Sequence, residues 1–219
     1  MRKLAICAAL AAAFAPGLAS ATDGYYADGY GIKAKGRAGS GTAMATDAFG
    51  GANNPAAMVF VGNRIDFGVD LFSPRREASR TGSGVGIDGQ AESDSNYFLI
   101  PEFGYNRMIN PNMSLGVTVY GNGGMNTDYP GGQIAGGLCA GFNPPAGPYN
   151  LLCGNGSLGV DLMQLVIAPT LAYKVTPSHA LGISPLIGVQ RFAAEGLQAF
   201  GGFSSSAANL TNQGHDTAY

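Results

Sequence analysis

The chain has 219 residues, of which 12% are charged and 35 are glycine, and its formal net charge is −2. Loss of the basic pair Arg2 and Lys3 with a leader takes that charge to about −4 (−2 less 2), which excludes a basic face for nucleic acid. The composition suits an outer-membrane barrel and equally a Gly-rich secreted β-protein.

Residues 1–21 read as a secretory signal. Arg2 and Lys3 form its basic start, Leu4 to Ala15 its apolar stretch and Ala19-Ser20-Ala21 its cleavage motif, so the mature chain is expected to begin at Thr22. The apolar stretch is shorter than the ~20 residues of a membrane-spanning helix. Cys7 follows Ile6 and lies too near the start for a lipidation motif. No later stretch is long and apolar enough for a helical span. An exported chain of this kind can cross a membrane only as a closed barrel.

From Gly29 to Met58 the sequence is too rich in Gly and Ala to make a strand or a core of its own. It reads as an irregular segment that another part of the molecule encloses. Gly39 and Gly41 approach a dinucleotide-loop pattern. Met44 holds its last glycine position, however, and no strand-to-helix context surrounds it.

Five later segments alternate with period two. Ile65, Phe67, Val69 and Leu71 oppose Arg64, Asp66, Gly68 and Asp70 in the first. Tyr97, Leu99, Pro101, Phe103 and Tyr105 oppose Ile100, Glu102, Gly104 and Asn106 in the second. Leu115, Val117 and Val119 lead the third; Met163, Leu165, Ile167, Leu171 and Tyr173 the fourth; Leu181, Ile183, Ile187 and Val189 the fifth. One face is an apolar band and the other is small or polar. The lengths suit tilted membrane strands of about 9–11 residues, although a soluble sandwich also alternates. Tight turns are expected at Asn110-Pro111-Asn112 and Thr176-Pro177-Ser178-His179. Long connections run from Ser73 to Ser95, from Asp128 to Ser157 and from Phe200 onward. Short periplasmic turns alternating with long extracellular loops are the outer-membrane pattern. Tyr97, Tyr105 and Tyr173 suit an interfacial girdle, and Pro101, Pro169 and Pro185 suit bends in the wall.

Cys139 and Cys153 remain after the leader, in an oxidising compartment, and are expected to form a disulfide. Closing that loop is worth ~3 kcal/mol in the chain-entropy model. No metal or cofactor is expected. Gly121, Asn122, Gly123, Gly124 and Met125 end the third strand, and three glycines within four residues mark a bulge or bend. The face opposite the apolar band carries Phe98, Ile100, Leu162, Val166, Leu186 and Phe192, which suits either an apolar ligand path or packing against the N-terminal segment. His179 and His215 lack Ser and Asp partners at a recognisable spacing, so no enzyme is expected.

Gly36-Arg37-Ala38, Ser40-Gly41, Asp47-Ala48 and Asn54-Pro55-Ala56 resemble the plug of the FadL/TodX family, outer-membrane barrels that import long-chain fatty acids and other hydrophobic compounds. The resemblance runs from about Asp23 to Phe200. It implies an all-β transmembrane antiparallel barrel, here about five strands of an expected fourteen or so, ending in a loop before the sixth. Residues 22–59 are then a plug inside the lumen and residues 60–219 part of the wall. Arg37 and Asp47 are expected to anchor the plug, and Gly121 to Met125 to form an inward kink that opens the wall sideways. The implied function is passive uptake of hydrophobic small molecules across the bacterial outer membrane, by a monomer in contact with lipid and lipopolysaccharide. The alternatives are a polar porin or structural barrel, and a lipid-hydrolysing barrel enzyme.

Overall fold

The computed structural model describes residues 22–24, 26–142, 147–205 and 216–219; the expected leader, with Cys7, and His215 lie outside them. A short hairpin of β1 (Thr22–Asp23) and β2 (Tyr26–Ala27) comes first. One helical turn, α1 (Ile32–Lys35), and two 3₁₀ turns, Ala48–Ala52 and Pro55–Phe60, follow. β3 (Arg64–Phe72) begins the large sheet, and β4 (Glu77–Arg80) pairs with β5 (Gly89–Glu92) in the next loop. β6 (Phe98–Asn110), β7 (Met113–Tyr129) and β8 (Leu158–Thr176) are long, with one turn of helix, α2 (Cys139–Phe142), between the last two. β9 (His179–Ile183), β10 (Ile187–Glu195), a 3₁₀ turn at Gln198–Phe203 and β11 (Asp216–Ala218) complete the described chain.

All five alternating segments therefore become strands. Neighbours pair antiparallel in the order β3, β6, β7, β8; β8 then pairs with β9 and, further along, with β10, and β10 pairs with β11. The two tight turns close through short polar side chains. Asn110 Oδ1 accepts from the Asn112 N–H at 2.9 Å, and Thr176 Oγ1 accepts from the His179 N–H at 3.0 Å. The His179 ring lies 2.9 Å from the same hydroxyl, within its own turn.

Two expectations need correction. β11 pairs with β10 through Gln190↔Ala218 and Phe192↔Asp216, so the chain has already entered a sixth wall strand rather than stopping in the loop before it. The fifth segment is two strands, not one. Pairing with β8 stops at Leu171↔Ile183 and resumes at Ile167↔Ile187. The interruption sets Pro169 opposite Pro185, and neither has an N–H for the ladder.

Face assignments follow the alternation. Phe67 and Leu99, 79% and 72% exposed, lie on the bare apolar face. The opposite face receives the N-terminal segment. Ala48, Met58 and Val59 pack there with Ala172 of β8, flanked by Val61, Met108 and Ala180. Two wall glycines admit the segment's backbone: a Cβ at Gly104 would lie 2.8 Å from Ala48 C, and one at Gly182 would lie 2.5 Å from Pro55 C. Among the described residues no helix is long and apolar enough to cross a membrane.

The three long loops meet at one end of the sheet. Cys139 and Cys153 are disulfide-bonded and pack with Ile134 and Tyr149, against Ile87 of the first loop and Ala199 of the third. Arg80 donates to the carbonyls of Ile87 at 2.8 Å and Leu151 at 2.6 Å, and Asn150 donates to Gly196 O at 2.9 Å.

Candidate functional site

The glycine run lies where two wall strands part. β6 and β7 pair from their turn only as far as Phe103↔Val119. Beyond that pair β6 continues to Phe98 beside β3, and β7 continues to Tyr129 beside β8, without pairing to each other. Two local features account for the break. Pro101 sits two residues past the last pair and has no N–H to donate. On β7 the register with β8 steps from Gly121↔Leu165 to Gly123↔Gln164, which leaves Asn122 as the extra residue of a bulge. The glycines are needed for space rather than for an unusual backbone conformation: a Cβ at Gly121 would lie 2.7 Å from Ile100 Cγ2, and one at Gly124 3.0 Å from Leu162 O.

The gap has a defined frame. On the loop side, residues 93–95 lie along the free edge of β7. The Asp94 N–H donates to Asp128 O at 2.8 Å, the Asp128 N–H to Ser93 Oγ at 3.1 Å, and Ser95 Oγ to Asn126 Oδ1 at 2.6 Å. Arg76 braces this corner by donating to the carbonyls of Asn126 and Ser95, with its guanidinium 5.6 Å from the Phe98 ring centre.

The gap is also filled. Tyr26 of β2 pairs with Gly123, so the N-terminal hairpin adds to the edge that β6 leaves free. The Tyr30 ring lies 4.3 Å from that of Tyr120, and its hydroxyl donates to Asn122 Oδ1 at 3.4 Å. Burial first, and the neighbouring Tyr120, Tyr26 and Glu102, push the Tyr30 phenol up to about 12, so it stays a neutral donor.

Other residues fix the segment to the wall. Lys35 reaches both Asp70 and Glu102, the latter at 2.7 Å. Burial alone pulls its pKa down, but hydrogen bonds to the two carboxylates outweigh burial and leave it raised. Glu102 also accepts from the Gly31 N–H at 3.0 Å. Gly31 has φ 77°, and a Cβ there would lie 2.5 Å from the Phe49 ring, so this corner needs glycine. Asp66, held by Arg64 through two 2.6 Å contacts, accepts from the Ala48 N–H at 2.8 Å. Thr118 Oγ1 donates to Ala48 O at 3.0 Å. Asn106, fully buried, donates to the carbonyls of Met58 and Gly62 at 2.9 Å each.

The hydrogen bonds of Arg37 and Asp47 lie within the segment, while Asp47 also meets the charge of Arg64 on β3. Arg37 donates to Lys33 O at 3.1 Å, and Asp47 caps the Ala48–Ala52 turn by accepting from the Phe49 N–H at 3.2 Å. Of the other motif residues, Ala48, Pro55 and Ala56 touch the wall by their backbone, and the rest bond within the segment. Gly36 ends α1, Ser40 donates to Arg37 O at 2.7 Å, and Gly41 lies beside Ala34 and Arg37. Asn54 caps the next turn at the Ala56 N–H, with Pro55 in its first position. The true wall partners had a signal in the sequence: Asp66, Asp70 and Glu102 alternate onto the non-apolar face, where an unmatched carboxylate calls for a cation.

Cross-strand partners share a face, which orders the inner surface into rows. Met125, Leu162 and Phe192 form one apolar row across β7, β8 and β10. Across the gap Phe98 pairs with Phe72, ring centres 6.4 Å apart, and Ile100 lies one step below. Beneath the apolar row, Asn122 donates to Gln164 at 3.4 Å and Gln164 to Gln190 at 2.6 Å. Val166 comes next, paired with Tyr120 and Gly188. Leu186 is apart from these rows, in the interruption between β9 and β10. A polar cleft of about 240 Å³ at the loop-side rim is lined by Ser95, Asn126, Asp128, Asp161 and Glu195. Among the described residues no three His, Cys, Asp or Glu side chains converge as a metal site.

Residues 12–142 match the sequence profile of a family described as outer membrane protein transport protein (OMPP1/FadL/TodX). Among solved structures the chain is similar to the P. putida toluene transporter TodX, with 17% identity and a TM-score of 0.56. That similarity covers 76% of this chain and 36% of the other, so the chain spans about a third of that structure's length, and the likeness is one of fold. No curated protein matches the chain.

Proposed function

This chain belongs to the OMPP1/FadL/TodX family of bacterial outer-membrane transport proteins, and we propose that it serves the passive uptake of long-chain fatty acids or other hydrophobic compounds. Residues 22–59 act as the plug and residues 60–219 as part of the barrel wall. The observation that carries the reading is the break between β6 and β7, framed by Arg76 and Ser95 and stopped by Tyr26 and Tyr30. A hydrophobic molecule enters from the loop end and lies along Phe98, Ile100, Met125, Leu162 and Phe192. Withdrawal of β2 and Tyr30 then lets it pass sideways into lipid. Transfer of apolar surface from water to lipid is favourable without another energy source. The barrel works as a monomer among outer-membrane lipid and lipopolysaccharide. The similar fold of a toluene transporter adds toluene to the compounds to be tried.

Two changes test lateral release in the full-length barrel. Deleting Asn122 removes the extra residue while Gly121↔Leu165 and Gly123↔Gln164 keep their register. Uptake of radiolabelled palmitate and toluene should fall while surface expression and heat-modifiable migration persist. Joining Tyr26→Cys to Gly123→Cys by oxidation should also stop uptake, and reductant should restore it. Full uptake through the cross-linked barrel refutes exit at this site.

A further inference from the structure

We propose that Arg107 seats the phosphate of an anionic phospholipid from the periplasmic leaflet against the outside of the wall. Leu99, Phe103 and Tyr105 alternate onto the bare apolar face of β6, and Arg107 shares their parity. It pairs with Leu115, Leu115 with Leu171, and Leu171 with Ile183. All four are exposed, so one guanidinium stands in an otherwise apolar, lipid-facing row. Nothing in the wall neutralises it. Among the described residues its side chain has no hydrogen bond, ion pair or ring contact. The row towards the gap is Ile65, Tyr105, Val117 and Pro169, and the row towards the turns is Met113, Tyr173 and Leu181. Neither row holds a carboxylate. The other charges at this end belong to the inner face: Arg64 bonds Asp66, and the Lys174 ammonium lies 4.9 Å from the ring centre of Phe60 in the plug. The His179 ring is held within its own turn.

Height decides what supplies the anion. Tyr97 and Arg107 share the outer face of one strand. Their separation of about ten residues (107 less 97), at about 3.3 Å per residue and a tilt of about 40°, spans ~25 Å of membrane, the height of the apolar band. With Tyr97 at the loop-side boundary, Arg107 lies at the turn-side boundary, which the outer-membrane pattern places at the periplasm. Phospholipid phosphates begin at that level. The guanidinium offers its unused N–H donors in a fork that matches phosphate oxygens. Tyr105 and Tyr173, in the rows on either side, suit the headgroup level. Acyl chains hung from that phosphate run along the wall over Tyr105 and Phe103 to the point where β6 and β7 part. A lipid of net negative charge gains the full attraction, whereas a zwitterionic lipid brings its own cation to the same phosphate. One such cation near the membrane surface amounts to about a fivefold preference for the anionic lipid.

The test offers the purified full-length barrel, in neutral detergent, equal amounts of phosphatidylglycerol and phosphatidylcholine with the same palmitoyl and oleoyl chains. Native mass spectrometry reads which lipid is retained. Phosphatidylglycerol should be favoured at least about fivefold, and Arg107→Met should lower that ratio about fivefold. Arg107→Lys keeps the charge and should retain part of the preference. Lys174→Gln removes the same charge from the inner face and should leave the ratio unchanged. Absence of any preference in the unmodified protein overturns the inference. So does a ratio that survives Arg107→Met, or one that falls equally with Lys174→Gln. If Arg107→Met lacks heat-modifiable migration, Arg107→Gln replaces it, and the ratio in the unmodified protein remains decisive. Palmitate and toluene uptake are read separately, so failure here leaves the transport reading standing.

Discussion

Replacing Gly182 by alanine should unseat the plug without damaging the wall. A Cβ at this position would lie 2.5 Å from Pro55 C and 2.6 Å from Ala56 Cα. Ordinary carbon contacts begin near ~3.5 Å, so the plug backbone must retreat by about 1 Å. It cannot yield locally. Asn54 caps the Ala56 N–H and also donates to Thr42 O at 2.8 Å, while Ala57, Met58 and Val59 are buried just beyond. The 3₁₀ turn has to move as a body. Overpacking of this kind costs ~1–3 kcal/mol, which shifts the ratio of undocked to docked plug by about 5-fold to 150-fold. Gly188→Ala is the control, on the same inner face with nothing within 4 Å of its Cβ. Single-channel recording in planar bilayers should show frequent openings for Gly182→Ala and a quiet channel for Gly188→Ala. Sensitivity of intact cells to a large polar antibiotic should follow the same order. Equal leak from the two variants would refute the claim that close backbone contact at Gly182 seats the plug.

Other expectations can be checked alongside. Lys35 and Tyr30 both have pKa values raised in the folded state, the latter to about 12. Their contribution to docking is therefore full below pH ~10 and is lost as pH climbs through the raised values; leak should rise reversibly between about pH 10 and 12, and a channel still closed at pH 12 would contradict this. Reduction of Cys139–Cys153, which closes a separation of 14 residues, should add about 2 Da and remove ~3 kcal/mol of loop stabilisation. Protease should then cut residues 130–157 in the reduced protein first, and equal cutting of both forms would argue against the disulfide as their brace. A membrane-impermeant thiol reagent on intact cells should label cysteines placed at Gly84 and Pro148 and leave Asn112 and Ser178 unlabelled. The opposite pattern would invert the assigned orientation.

The wall was legible in the sequence because its signal is local. Alternation at Ile65–Leu71 or Leu115–Val119 needs only the pleat and one apolar surrounding, and the turns at Pro111 and Pro177 need only their own four residues. The bulge was legible as a glycine cluster, but its single extra residue, Asn122, was not, because register depends on the partner strand. The anchors were missed for a related reason. Arg37 and Asp47 stand out as charges in a motif, yet their hydrogen bonds, to a carbonyl and at a cap, lie within the segment. Lys35 carries no local signal, since nothing near it says that Asp70 and Glu102 lie 35 and 67 residues onward in the chain. β11 was too short to register as a period-two segment and is recognised only through β10.

The contact across the gap is made by main chain, since Tyr26 meets Gly123 as one strand meets another. Such a contact does not read side-chain identity at the point of closure. Drift in the residue at position 26 should therefore be tolerated wherever an extended backbone survives. The number of residues between that point and the Lys35 anchor should not be free to vary. One inserted or deleted residue turns the strand over and misplaces Tyr30 relative to Asn122. Across related sequences the stopper would then be preserved as a measured length, with spacing held while the residues along it change.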